Sequence, residues 1–96
     1  MVIETTTFRL LSDADEAAFL DADHRFQAEV VPRQRGFVRR TTARGADGEW
    51  LVVTLWASKA DAASSTANAD GHPRTAELFA FVDTSSVQVQ RYESLD

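Results

Sequence analysis

From Trp50 to Ala57 every residue except Thr54 is apolar, and this stretch limits what the chain can fold into. Strand residues alternate between faces, so Trp50, Val52, Thr54 and Trp56 share one side. Leu51, Val53, Leu55 and Ala57 share the other. A strand apolar on both sides belongs inside a sheet and needs cover on both faces.

The flanking sequence supplies the partners. Val2–Leu10, rich in Thr and Val, reads as a first strand. Ser12, with Asp15 three positions on, makes a capping-box-like helix start. From Asp13 the period changes, with Phe19, Ala22, Phe26 and Val30 recurring at spacings of three and four. Asp21, Asp23, Arg25, Gln27 and Glu29 fall mostly off that stripe. The helix is expected to end near Val31, because Pro32 disfavours helical geometry in the residue before it.

Gly36 opens an alternating strand, Phe37–Arg44, and Ala46-Asp47-Gly48 turns it into the strand Glu49–Ala57. Ser58 and Asp61 cap a second helix, Lys59 to about Ala69, which Asp70-Gly71 stops. Pro73 begins a further short helical stretch through Phe81, and Thr84–Tyr92 is the last strand.

The order βαββαβ predicts an α+β, ferredoxin-like domain spanning residues 1–96: a four-stranded antiparallel sheet with its helices on one face. Strand order in that fold is 4-1-3-2, so the first and third strands are central. Helices on one side leave Leu51, Val53 and Leu55 facing water, and no third layer remains in the chain. A second copy of the sheet is the expected cover. Burial of each such side chain stabilises by about 1.5–3 kcal/mol before association costs, which predicts a homodimer through that face.

Composition narrows the function. The chain has 96 residues and no cysteine, which removes disulfides, thiolate metal sites and cysteine nucleophiles. A net charge of −5 argues against a nucleic-acid partner, since phosphate binding needs a basic surface. No apolar run approaches the roughly 20 residues of a membrane span. Met1–Leu10 carries Glu4 and Arg9 and does not read as a signal peptide, so the expected location is cytoplasmic.

Three segments carry a family likeness. Arg35-Gly36-Phe37-Val38 opens the second strand, Gly48-Glu49-Trp50-Leu51 opens the third, and Leu55-Trp56-Ala57-Ser58 leads into Lys59-Ala60-Asp61-Ala62. From about Thr7 to Tyr92 the chain resembles the antibiotic-biosynthesis-monooxygenase-like group of dimeric α/β-barrel proteins. In that group "P-G-F" starts the second strand and "W-x-S-x-x-x-A" joins the third strand to the second helix; here Arg35 replaces the proline. The resemblance implies a dimer with sheets packed face to face and a pocket between each sheet and its helices. It also implies cofactor-free oxygenation of aromatic substrates, or haem degradation. Trp56 matches a Trp that active members use. Their first-strand Asn is missing, with Thr6 near its place, and Lys59–Ala69 lacks the His of haem-degrading members.

The candidate site follows. Trp56, Trp50, Thr54, Thr6 and Phe26 are expected to bind a small aromatic ligand, Trp56 as a flat wall with an indole N–H to donate. Ordinary core packing is the plainer role for both tryptophans. His72, before Pro73, and His24, three residues after Asp21, are candidate catalytic bases. Their plainer roles are a helix cap and a surface histidine. Of the clustered arginines, Arg39 and Arg40 point to opposite faces, and Arg39 is the expected anion-binding candidate; charges on an edge strand also discourage aggregation. No cofactor is expected, and no metal, since Asp21 and His24 are too few ligands. The leading expectation is a cofactor-independent monooxygenase-like enzyme. The alternatives are a non-catalytic ligand-binding homodimer, or a structural one whose pocket Trp50, Trp56, Phe79 and Phe81 close.

Overall fold

A computed structural model describes every residue from Met1 to Asp96. Strands β1 (Val2–Leu10), β2 (Phe37–Arg44), β3 (Glu49–Trp56) and β4 (Val82–Glu93) form one antiparallel sheet in the order β2-β3-β1-β4. Helices α1 (Glu16–Glu29), α2 (Lys59–Ala69) and α3 (Pro73–Phe79) complete the chain. The ferredoxin-like order expected from the sequence is therefore present, with β1 and β3 central.

Burial along β3 alternates as the sequence requires. Trp50, Val52, Thr54 and Trp56 are buried under the helices, whereas Leu51, Val53 and Leu55 are only partly covered. No helix is long and apolar enough to cross a membrane.

Local chemistry explains the joints. The cap of α1 is Asp15 rather than Ser12: its Oδ1 accepts from the N–H of Ala17 at 2.9 Å, while Ser12 lies exposed in the preceding turn. α1 ends at Glu29, and Pro32 sits in a 3-10 turn, Val31–Arg33. In the hairpin between β2 and β3, Asp47 and Gly48 take φ of 56° and 78°, the left-handed geometry that Asp-Gly supplies. Gly36 has φ +78°, and a Cβ there would fall 2.1 Å from an Asp61 carboxylate oxygen. That carboxylate is held by Ser58, whose Oγ caps α2 by accepting the Asp61 N–H at 3.1 Å. The W-x-S-x-x-x-A pattern thus has a physical meaning: Ser58 caps the helix and Ala62, fully buried, packs on Trp56.

Two strand irregularities matter for the site. In β2 the register shifts between Phe37 and Arg39, and in β4 residues 84–87 bulge out opposite Phe8. Ser86 Oγ accepts the Arg9 N–H at 2.8 Å across that bulge.

The covered core is in two parts. Phe8, Phe19, Ala22, Trp50, Val52, Leu78 and Val82 form the larger cluster, and Val2, Trp56 and Ala62 the smaller. Cross-strand register puts a polar row between them: Arg91 beside Glu4, Glu4 beside Thr54, and Thr54 beside Arg40.

Candidate functional site

The polar row forms part of the wall of a cavity of about 350 Å³ between the sheet and the helices. That is the lower range of small-molecule pockets, about 300–1,000 Å³. Apolar surface comes from Phe8, Phe26, Val52, Trp56, Leu78 and Phe79, and polar groups from Glu4, Thr6, Asp23, Arg40, Thr54 and Ser65.

Two hydrogen-bonded groups flank Thr54. On one side Arg40 Nη2 donates to Asp23 Oδ1 at 2.8 Å, with both side chains more than nine-tenths buried. Thr42 Oγ1 donates to Asp23 Oδ2 at 2.7 Å, and Arg40 Nη1 donates to Gln27 Oε1 at 3.1 Å. The guanidinium also lies over the Phe26 ring, 5.3 Å from its centroid. A buried ion pair needs such additional bonds to offset its desolvation. On the other side Glu4 accepts from Arg91 Nε at 2.8 Å and from the Trp56 indole at 3.4 Å.

The expected ligand-binding residues divide. Trp56, Thr54, Thr6 and Phe26 line this cavity together. Trp50 does not: it stacks edge-on against Phe19 at 5.0 Å inside the larger cluster, with Arg44 over its ring. Arg39 is exposed, its register partner being Leu55 on the uncovered face. Arg40 enters the cavity instead, because the shift after Phe37 reverses the alternation of β2. Phe79 is 46% exposed and lines the cavity rather than closing it.

Neither histidine reaches the cavity. His24 is exposed on α1, as is Asp21. His72 is the N-cap of α3, its Nδ1 accepting the Arg74 N–H at 3.1 Å. No cluster of three or more His, Asp or Glu side chains with metal-binding geometry is present.

Sequence reasoning missed Asp23 and Glu4. Asp23 was set off the apolar stripe, yet it lies four residues after Phe19 and three before Phe26 and is 3% exposed. A charge inside an apolar stripe was the available signal. Glu4 lies midway between Val2 and Thr6 on the covered face of β1, and that parity was its only mark.

No family model matches the sequence, and no curated protein matches it. Solved structures do match in fold. SnoaB of Streptomyces nogalater, described as a cofactor-independent oxygenase, is 21% identical with a TM-score of 0.78, over 99% of this chain and 93% of its own. A candidate antibiotic biosynthesis monooxygenase from Bordetella bronchiseptica is 17% identical with a TM-score of 0.76, over 99% and 98%. Rv0793 of Mycobacterium tuberculosis is 20% identical with a TM-score of 0.68, over 99% and 95%. At such identities the likeness establishes a shared fold, in agreement with the resemblance read from the motifs.

Proposed function

We propose that the protein binds a small electron-rich aromatic molecule in the cavity beside Trp56 and oxygenates it without a cofactor. The observation that carries this reading is the cavity itself, with aromatic walls and a few fixed polar groups, in a fold shared with a cofactor-independent oxygenase. Removal of a proton from a hydroxylated ring system leaves an anion rich enough to reduce O2 directly. One oxygen atom becomes a carbonyl on the substrate, and two hydrogens lost by the substrate leave with the other as water, so that the substrate itself supplies all four electrons. With both histidines outside the cavity, the proton acceptor in this scheme is a carboxylate, and Glu4 is the better placed. Asp23 is held at both oxygens by contacts of 2.8 and 2.7 Å, whereas one Glu4 oxygen has only the Trp56 indole at 3.4 Å.

The active form in this proposal is a homodimer through the uncovered sheet face. Leu51, Val53 and Leu55 lie there beside Ile3, Thr5 and Thr7, an uncharged surface across both central strands. Light scattering checks the dimer: it should give twice the 10.6 kDa chain mass at micromolar concentration.

The position of the histidines favours a second reading, a binding protein that performs no oxidation. An oxygen electrode and a thermal melt with a hydroxyanthrone separate the two. A raised melting point with O2 uptake above the protein-free rate supports the enzyme. A raised melting point without uptake supports the binder, and no shift with any aromatic defeats both.

A further inference from the structure

We infer that Thr54, between Glu4 and Arg40, is the specificity-determining residue of the cavity and reads an oxygen substituent on the ligand's ring. This rests on the aromatic pocket proposed above and adds the substituent that the pocket selects.

Thr54 is 6% exposed and lines the cavity, yet its hydroxyl makes no hydrogen bond within the protein. Every fully enclosed side-chain nitrogen and oxygen in the chain has a partner. The unpaired Thr54 oxygen therefore opens onto the cavity. A buried hydroxyl without a partner destabilises a fold, and valine, nearly its isostere, occupies position 52 on the same face. Packing alone gives no reason for threonine here.

Its neighbours have capacity to spare. Glu4 and Arg40 are the register partners of Thr54 on either side, one strand spacing away in each direction, about 4.8 Å. A carboxylate has about four acceptor sites, and Glu4 uses two. A guanidinium has about five N–H donors, and Arg40 uses three. An acceptor, a hydroxyl and a donor thus stand on three neighbouring strands in one cross-strand row that lines the cavity. A ring hydroxyl set over Thr54 can donate toward Glu4 and accept from Thr54 or Arg40, while Trp56 and Phe26 take the ring faces. Sites built to hydrogen-bond a hydroxyl reject analogues that lack it.

Calorimetry with 1-naphthol and its same-shaped partner 1-methylnaphthalene tests the assignment on wild type, Thr54→Val and Thr54→Ser. Thr54→Val should weaken 1-naphthol about tenfold, the worth of one hydrogen bond, and leave 1-methylnaphthalene unchanged. Thr54→Ser should keep 1-naphthol affinity, and an unchanged far-UV spectrum and melt should confirm that each variant folds. Equal losses for both probes, or none for either, would overturn the role of Thr54 and leave the pocket standing. Failure of the wild type to bind either probe would remove both the pocket reading and this one.

Discussion

Trp50 and Trp56 lie six residues apart on one face of one strand, and both are buried, at 5% and 3% exposure. Around Trp50 the space is full. Phe19 meets it edge-on, and Phe8 and Phe81 meet Phe19 with centroids at 5.8 and 6.4 Å. Around Trp56 the space is partly hollow, with Phe37 at 6.1 Å, Val2 and Ala62 on its flanks and the cavity beyond. The strand does not make this difference; the helices do. α1 and α3 lower Phe19 and Leu78 onto the first end. The buried residues that α2 lowers onto the second are Ala62, Ser65 and Ala69, all small. The polar row Glu4–Thr54–Arg40 crosses the sheet between the two tryptophans, and the cavity reaches past it to Phe8, Val52 and Leu78 at the edge of the packed cluster. A pocket here is made by side-chain volume withheld from one helix face.

The sharpest way to break that contrast is to hollow the full end. Phe19→Ala should cost about 3–5 kcal/mol in urea unfolding, because a fully buried ring leaves a void its rigid neighbours cannot fill. Phe26→Ala enlarges a cavity that already exists and should cost clearly less. Equal losses would mean that the two ends are packed alike.

Next in size is the polar row. Asp23→Ala strands the Arg40 guanidinium, 7% exposed, without its countercharge, and should cost about 3 kcal/mol in the same assay. Replacing both partners by apolar residues, Asp23→Leu with Arg40→Met, should recover most of that loss. If the double variant is as unstable as the single one, the ion pair is not what sets the cost.

Filling the hollow end should act on binding alone. Ala69→Leu places a larger side chain in the cavity wall, shifting stability by less than about 1 kcal/mol while abolishing 1-naphthol binding in calorimetry. Retained binding would show that the ligand lies elsewhere.

The framework was legible because period and parity report burial directly. β3 apolar on both faces, the spacing of Phe19, Ala22 and Phe26, and Asp47-Gly48 each dictate one local geometry, and together they admit one topology. Part of the cavity lining was legible: Thr54 and Trp56 share the covered face by the parity of β3, while Thr6 came only from the family resemblance. Which of Arg39 and Arg40 faces the helices was not legible, because parity does not carry across a strand defect. Counting from Phe37, which faces the helices, Arg39 should face them too; one register shift hands that place to Arg40. No residue type marks that shift. Asp23 was missed differently, since hydropathy treats a charge as a surface label, and its partners Arg40 and Thr42, 17 and 19 residues away in the chain, make its buried position tolerable. The packed end was readable from volume, whereas the hollow depends on which small side chains of α2 face inward.

The smallest effect concerns the roof that spans both ends. α3 carries Leu78, which belongs to the packed cluster and the cavity wall alike, and Phe79 of that wall, and ion pairs from Arg25 to Glu77, Glu77 to Arg74 and Arg74 to Glu29 tie it to α1. The Arg74 guanidinium, and then that of Arg25, hold the Glu77 carboxyl below its ordinary value of 4.5, and Glu77 with Glu29 raises Arg74 in return. The folded state therefore binds a proton at Glu77 less readily than the unfolded chain does. Its contribution to stability is present above the ordinary carboxyl value and is lost as pH falls through the depressed one. Arg74 stays charged throughout that window. Glu77→Gln should melt slightly below wild type near neutral pH, with the gap closing on acidification and shrinking in high salt, as expected for a pair open to solvent. A gap that persists unchanged in strong acid would mean that Glu77 holds α3 to α1 by packing rather than by charge.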